Sequence, residues 1–443
     1  MVATLDPAEA PHTLDQPAPR SLRLVDQLGL WGNLGVSLLG FTGAIFVLVP
    51  IEGGPPLSLT AALIALIVGT VLGSLAIAIA AVPGAQTGAP SMVLLRGLFG
   101  TRPSYLPTLL NVVQLLGWTT FELVTIGTAM HQITPSVPQW IYVLAGGVIT
   151  TLLALRPLGW IRVLRKYVTV AVLIALAYLF IQLIRHPLPG FGDGSWNGFW
   201  IAVDTVIGVS VSWVPLASDY SRHARSARDG FVGAFAGYSV TQIACYAIGL
   251  VALVTVAKGN PDSIFGAFMA IPIGTLAFAV LAIRELDQSF ADTYSAAVSV
   301  QNFRPRWDRR VLAFVIGLVA TIAALSLNIY DYENFLLLIG SLFVPLLGVL
   351  AVDYFLISRR QWDLGDNVRT RWVTLVPWAL GFVAYQLINP GYLGWWSGLW
   401  VDVQGWLHFA PAAWMSASLI SFVVAAAATV PLGLLTRRKE PAC

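Results

Sequence analysis

Apolar runs of about 20 residues recur along the whole of this 443-residue chain. A helix of about 20 apolar residues crosses the hydrocarbon core of a bilayer, where only helices and closed barrels satisfy their own backbone polar groups. Charged residues make up 11% of the chain and hydrophobic residues 57%, whereas soluble domains carry about 25% charged residues. The sequence therefore predicts an all-α integral membrane protein and argues against a soluble α/β enzyme.

We predict twelve membrane-spanning helices. Their predicted limits are residues 28–50, 57–81, 105–131, 138–156, 166–185, 197–218, 230–257, 272–302, 310–328, 333–357, 372–389 and 412–436. Twelve spans fit two five-helix halves of opposite orientation plus two further helices, as in inverted-repeat transporters. The predicted units are a tail at 1–27, five-helix repeats at 28–185 and 197–358, two added helices at 372–436, and a tail at 437–443.

The basic residues predict the orientation of these spans. With the limits above, 22 of the 25 Lys and Arg residues fall on one side of the membrane. Only Arg185 and Lys258 fall on the other side, and Arg284 lies within a span. Because basic loops stay in the cytosol, we expect a multi-pass protein of the cytoplasmic membrane with both termini cytosolic. Residues 1–26 lack the apolar core of a signal peptide, and we expect them to be disordered.

Two spans carry residues that could break a helix in mid-membrane. The first span contains Gly35, Gly40 and Gly43, and the sixth contains Gly208 and Pro215. In inverted-repeat transporters the first helix of each half is broken, and the break exposes backbone groups that bind ions and substrate. Glycine also allows close helix packing, so both interpretations stay open from the sequence alone.

The segment Arg284–Asp292 concentrates charge after a run of apolar residues. If one helix begins near Pro272 and continues through it, those charges lie about mid-bilayer, where charges are costly and usually functional. We expect Arg284 to pair with Asp287, three residues away. Asp287 and Gln288 are the candidates for coupling to a cation or a proton.

The third span presents polar groups on one face. Gln114, Trp118 and Glu122 are spaced four residues apart, which places them on the same side of a helix. An indole can stack on a flat ring, while an amide and a carboxyl hydrogen-bond its N–H and C=O groups. This pattern indicates a site for a flat polar heterocycle, and a polar contact between helices is the alternative.

Three segments resemble the nucleobase–cation symporter family, which includes cytosine permeases and a hydantoin transporter. They are the second loop and third span at 84–88, 104–107 and 117–118, the sixth span at 208–222, and the tenth span at 344–354. The resemblance covers about residues 28–360 and implies the LeuT-like five-plus-five fold, alternating access and cation-coupled uptake of a nucleobase or a related pyrimidine. The third-span glutamate and residues 285–292 also resemble a subgroup associated with hydroxymethylpyrimidine.

The resemblance also implies site residues. The substrate would lie against Trp118, Glu122, Gln114, Phe41, Ser210, Trp213 and Ser289. The family's sodium site would correspond to the backbone near Gly40, Gly43 and Ala44 together with eighth-helix hydroxyls. Here Asp287 and Gln288 stand at the hydroxyl positions, so Na⁺ at Gly40, Ala44, Asp287 and Gln288 and a proton both remain candidates.

The sequence is compatible with two other classes of function. An intramembrane enzyme could use Glu122, Glu285, Asp287 and Asp292 as acid–base groups, and a passive channel would need no ion gradient. The sequence has no paired metal-ligand motif, which argues against the enzyme, and the broken-helix plan favours a transporter over both. Apart from Na⁺ as a candidate coupling ion we expect no cofactor, and the expected partners are the small-molecule substrate and the lipid bilayer, without nucleic acid. The oligomeric state is left open by the sequence.

Overall fold

The computed structural model describes residues 9–51, 53–163, 167–260, 263–327 and 332–436, and this part of the chain is helical, with two isolated β-bridges and no strand. In chain order the helices are α1 (Leu24–Leu34), α2 (Leu38–Leu48), α3 (Leu59–Thr87), α4 (Ser91–Phe99), α5 (Tyr105–Ile133), α6 (Gln139–Leu155), α7 (Pro157–Val163), α8 (Thr169–Leu183), α9 (Phe199–Val211), α10 (Ala217–Ser221), α11 (Ala227–Thr255), α12 (Ile264–Ala270), α13 (Gly274–Arg284), α14 (Leu286–Val300), α15 (Arg309–Ala324), α16 (Tyr332–Ala351), α17 (Leu375–Ile388), α18 (Gly394–Leu407) and α19 (Ala417–Thr436).

Helices occupy each of the twelve predicted spans. Within the described residues, six helices or helix pairs in line are long and apolar enough to cross a membrane, and the bent pair α1–α2 makes a seventh. The helices α6 and α8 are apolar but shorter, so the number twelve stays a prediction. Helix α18 was not predicted, because its four Trp residues alternate with Gly, Ser, Asp and Gln rather than forming an apolar run.

The first and sixth spans are both interrupted. Between α1 and α2 the chain bends by 60° at residues 35–37. Between α9 and α10 it passes through a short 3₁₀ turn, Val214–Leu216. Breaks in both spans were one of the two interpretations that the sequence left open. Gly40, Gly43 and Ala44, which the resemblance implies as sodium-site positions, lie inside α2, where carbonyls are engaged in helical hydrogen bonds.

The packing of the helices is reciprocal between the first five spans and the next five, as expected for an inverted repeat. The first span (α1, α2) packs against α11, while the sixth span (α9, α10) packs against α3. In the repeat the first span corresponds to the sixth and the second span (α3) to the seventh (α11), so these two contacts are equivalent. In the same way, α5 contacts α14 and α15, and α14 contacts α5 and α6. The helices α17 and α19 lie outside this symmetry and pack against each other and against α16.

Two repeat-related helices, α6 and α15, make a reciprocal contact. A Cβ added to Gly147 would lie 2.1 Å from the Thr321 hydroxyl, and one added to Gly317 would lie 2.1 Å from the Thr151 hydroxyl. Each threonine follows the glycine of its own helix by four residues. Small residues at this spacing let helix backbones approach closely in membranes, so the crossing depends on both glycines.

The eighth span runs from α13 through α14, as predicted. Glu285 stands between the two helices with φ −57° and ψ −23°, which are helical values, so the path continues with a one-residue irregularity. The short helix α12 precedes it, as expected from the sequence. The charged segment Arg284–Asp292 is therefore part of the helical core, and its charged and amide side chains are buried.

The described part of the N-terminal segment packs on the helices, so the predicted disorder is wrong for residues 9–26. The Glu9 carboxylate accepts hydrogen bonds from the backbone N–H of Leu158 (2.9 Å) and Gly159 (3.0 Å) at the start of α7. The carbonyl of His12 accepts from the Arg309 N–H at 2.8 Å. Backbone and side-chain hydrogen bonds to buried helices thus hold a polar segment that has little apolar content of its own.

Candidate functional site

A small cavity lies between the two broken spans and α5, α11 and α14. Nearly all of its lining residues are buried, so the structure is closed around it. The lining residues are Leu34, Gly35, Ser37, Leu39, Gly40, Trp118, Glu122, Val209, Ser212, Trp213, Tyr238, Gln242, Cys245, Tyr246, Gln288 and Asp292. Its walls are aromatic with a few polar groups, as in many ligand sites.

Two tryptophans predicted to bind substrate line this cavity. Trp118 of α5 packs edge-on against Phe335, with ring centroids 5.5 Å apart. Trp213 lies in the break of the sixth span and packs edge-on against Trp31 at 6.4 Å. Aromatic neighbours on one side fix the ring orientation, which leaves indole surface available to a flat ligand in the cavity.

Two carboxyl groups meet in the cavity. Glu122 of α5 and Asp292 of α14 both line the cavity and interact electrostatically, and both residues are 2% exposed. Like charges that are buried close together disfavour each other, so at least one of the two carboxyl groups is favoured in its protonated form. The other charged groups near Glu122 are Glu285 and Arg284, and Tyr220 lies near Asp292.

The break in the first span is bound from one side by the eighth span. Gln288 Nε2 donates to the carbonyls of Leu34 (2.8 Å) and Val36 (3.0 Å), and the Arg284 guanidinium donates to the carbonyl of Asn33. Arg284 also forms an ion pair with Glu285 at 3.3 Å. The prediction that Arg284 forms an ion pair with Asp287 is wrong. Glu285 lies at the irregularity between α13 and α14, and it is the Glu285 carboxylate that faces the Arg284 guanidinium.

The far end of the same break is bound by Glu285. Its two carboxylate oxygens accept from the Ser37 hydroxyl (2.9 Å) and the Leu38 N–H (3.1 Å). Ser37 in turn accepts from the Leu39 N–H at 3.1 Å and so caps α2. The sequence indicated that this charged segment is functional, but it gave no signal that Glu285 contacts the start of α2.

Gln114 lies at the other break rather than in the cavity wall. Its Nε2 donates to the carbonyl of Ser212 at 2.8 Å and to Asn111 Oδ1 at 3.1 Å. Since the repeat relates α5 to α14 and the sixth span to the first, Gln114 at the sixth-span break is the counterpart of Gln288 at the first-span break. Both amides satisfy carbonyls that the breaks leave without helical partners.

Six other predicted site residues do not line the cavity: Phe41, Gly43, Ala44, Ser210, Asp287 and Ser289. Phe41 packs edge-on against Phe268 at 5.0 Å, and the Ser210 hydroxyl donates to Gln242 Oε1 at 2.8 Å. The buried Ser289 hydroxyl has no hydrogen-bond partner among the described residues. Asp287 Oδ1 accepts from the Trp160 indole at 3.2 Å, which directs it toward α7.

The contribution of α11 to the cavity wall was not predicted from the sequence. Tyr238, Gln242, Cys245 and Tyr246 all line the cavity. Their spacing of four, three and one residues puts them on one helical face, which was the available signal. The Tyr246 hydroxyl is buried without a hydrogen-bond partner among the described residues, so it can donate to a bound ligand.

Comparison with known proteins places this geometry in context. The model of the family described as permeases for cytosine/purines, uracil, thiamine and allantoin matches residues 43–384. A Bacillus subtilis (strain 168) protein, YxlA, provisionally named a purine-cytosine permease, is 23% identical over 367 residues, covering 76% of this chain and 78% of that protein. The hydantoin permease of Microbacterium maritypicum is 25% identical over 336 residues, covering 66% of this chain and 67% of that protein.

The fold has a solved counterpart. The structure of Mhp1, a nucleobase-cation-symport-1 family transporter, in a closed conformation with bromovinylhydantoin bound, superposes with a TM-score of 0.72. The two share 18% sequence identity, and the match covers 97% of this chain and 95% of that chain. At this identity the likeness establishes the fold, which agrees with the reciprocal helix packing described above.

Proposed function

We propose, from the premise that this chain belongs to the family of permeases for cytosine/purines, uracil, thiamine and allantoin, that it imports a pyrimidine-like nucleobase by proton symport. Its relatives are permeases, so the chain is a transporter and the intramembrane enzyme considered from the sequence is set aside. The observation that carries the proposal is the closed cavity in which Trp118, Trp213, Glu122 and Asp292 meet.

The substrate we propose is a flat ring with several hydrogen-bonding edges. Its face would stack on the Trp118 indole, a contact worth about 1–3 kcal/mol for a nucleic-acid base. Its N–H and C=O groups would bond to Glu122 and to the Tyr246 hydroxyl, whose hydrogen-bonding capacity is not used by the described residues. A site built to hydrogen-bond such groups rejects rings that lack them, because buried polar atoms are then left unpaired. Pyrimidines, including the hydroxymethylpyrimidine type, meet these requirements.

The coupling ion we propose is a proton held between Glu122 and Asp292. Two buried carboxyl groups that line one cavity do not both ionise readily, because each negative charge disfavours the other. A ring bound to Glu122 would compete with Asp292 for the carboxyl group, which links the proton to substrate binding. Alternating access would then carry proton and substrate across together, as broken-helix transporters move ions and substrates bound at the midplane.

Uptake of labelled pyrimidines into cells or proteoliposomes tests this proposal. Glu122→Gln keeps the shape of the side chain but cannot share a proton as a carboxyl pair does, and we expect uptake to fall at least about tenfold, the effect of losing one buried charged hydrogen bond. Asp204→Asn is the matched control, since Asp204 is an equally buried carboxylate that caps α19 through Ser416 and Ala417. Equal uptake by wild type and Glu122→Gln, with both proteins in the membrane, would refute the site.

A further inference from the structure

The break in the first span leaves two sets of backbone groups without helical partners. At the end of α1 these are carbonyls, and at the start of α2 they are N–H groups. In broken-helix transporters, freed carbonyls of this kind coordinate Na⁺. A sodium ion bound by the carbonyls at this break would need those of Asn33, Leu34 or Val36 to be available.

In this chain those three carbonyls already have donors. Arg284 donates to Asn33, and Gln288 Nε2 lies 2.8 Å from the Leu34 oxygen and 3.0 Å from the Val36 oxygen. A hard cation such as Ca²⁺ sits about 2.3–2.6 Å from its oxygen ligands. An ion that bridged the Leu34 and Val36 oxygens would therefore take the space of the amide nitrogen.

The charges at the break also disfavour a bound cation. The C-terminal end of a helix attracts a cation and the N-terminal end attracts an anion. Arg284 places a guanidinium at the end of α1, and Glu285 places a carboxylate at the Ser37 and Leu38 end of α2. Both side chains are fully buried, so a guanidinium already lies at the carbonyl end of α1, where the helix would attract a cation, and it repels a second cation.

We propose that the side chains of Arg284 and Gln288 take the place of the coupling sodium ion at the first-span break. Substrate binding and uptake by this chain then do not depend on Na⁺. The residues at the break do not fit a bound sodium ion, because its ligands are occupied and its charge is already supplied. The inference deepens the proposed function and rests on it where uptake is concerned. The thermal measurement below does not require any substrate.

The first arm of the experiment uses the purified wild-type protein. Its melting temperature is measured in NaCl and in choline chloride at equal ionic strength and pH, with no substrate present. A ligand that binds the folded state raises its stability, so we expect the same melting temperature in both salts. A higher melting temperature in NaCl would overturn the proposal. In proteoliposomes, uptake with and without an inward Na⁺ gradient should be equal at fixed membrane potential, and stimulation by Na⁺ would overturn it as well.

The second arm compares two glutamines that make the same bonds in different places. Gln288→Met removes two amide-to-carbonyl bonds at the break. Gln301→Met removes two such bonds, to His12 and Trp307, each 2.7 Å long, at the end of the same span. We expect Gln288→Met to lose uptake at least about tenfold more than Gln301→Met, because a buried carbonyl pair is left unsatisfied beside the substrate. Equal losses would show that Gln288 is an ordinary packing residue and would overturn the proposal.

The two arms also separate this inference from the proposed function. If no pyrimidine is taken up or bound, the proposed function fails, while the melting temperatures in the two salts still decide whether sodium binds. If pyrimidine uptake is present but requires Na⁺, the proposed substrate stands, while the replacement of the sodium ion by Arg284 and Gln288 is wrong. If Gln288→Met does not fold, the salt comparison on the wild-type protein remains decisive.

Discussion

At the scale of single residues, the sequence did not predict that Asp292 lies beside Glu122. Glu122 was predicted from the four-residue spacing of Gln114, Trp118 and Glu122 along one helix. Asp292 was visible as a buried charge, but its contact with Glu122 joins two spans that are far apart in sequence. Such a contact depends on tertiary packing, and no local pattern encodes it.

Arg284 shows a second limit of residue-scale prediction. On a regular helix, residues three or four apart face each other and adjacent residues do not, which is why Asp287 was expected as its partner. The irregularity at Glu285 changes these directions, and Glu285 becomes the partner. Asp287 is instead held by Trp160, whose position could not be read from the eighth span alone.

The shared proton predicts a specific pH dependence. Uptake by the wild type should rise as external pH falls from about 8 to about 6, because proton symport draws on the proton concentration outside. Asp292→Asn should flatten this dependence, since the pair then has one ionisable carboxyl instead of two. The groups that face the pair, Glu285, Arg284 and Tyr220, are unchanged in this variant.

Asp287→Asn provides the comparison for that measurement, which records initial uptake rates at a series of external pH values. Asp287 was the coupling candidate from the sequence, and its carboxylate bonds Trp160 rather than Glu122. We expect Asp287→Asn to keep the wild-type pH dependence. A flat profile in Asp287→Asn together with a normal profile in Asp292→Asn would return the coupling role to Asp287 and contradict the carboxyl pair.

At the scale of helices, the sequence allowed a break in the first span but indicated neither that it occurs nor where. Gly35, Gly40 and Gly43 all allowed a break. The break falls at Gly35, where a Cβ would lie 2.3 Å from the Thr241 hydroxyl and 2.8 Å from the Tyr238 carbonyl. The break lies at this position because α11 packs closely against it and because side chains of the eighth span donate hydrogen bonds to its carbonyls. Both contacts come from other helices, so the sequence of the first span alone does not predict the position.

The reciprocal contact between α6 and α15 leads to an element-scale prediction. Gly147→Leu would force a side chain into the Thr321 hydroxyl, 2.1 Å from the position of the new Cβ. Overpacking of this kind costs about 1–3 kcal/mol, so we expect a lower melting temperature in detergent. Gly398→Leu on α18 is the control, because no described atom lies within 4 Å of its new Cβ. Equal melting temperatures for the two variants would show that the α6–α15 crossing does not need glycine.

At the scale of the whole molecule, composition was sufficient to predict a helical membrane protein, and the family resemblance to predict its fold. The inverted repeat follows from the contacts of α1, α3, α9 and α11 and from the solved structure with a TM-score of 0.72. The order of residues 9–26 was not predictable, because this polar segment is held by contacts such as that of Glu9 with α7. Those contacts exist only once the helices have assembled.

The central claim is that the cavity beside Trp118 binds a flat polar heterocycle. Equilibrium binding of labelled cytosine, uracil and hydroxymethylpyrimidine to the purified protein tests it most directly, with Trp118→Ala and Trp400→Ala compared. Both tryptophans are 8% exposed, but Trp400 packs among Phe382 and Trp396 outside the cavity. We predict saturable binding of at least one pyrimidine, weakened about tenfold or more by Trp118→Ala, as loss of stacking implies, and unchanged by Trp400→Ala. Absence of binding by the wild type, or equal affinity in Trp118→Ala, would contradict the account.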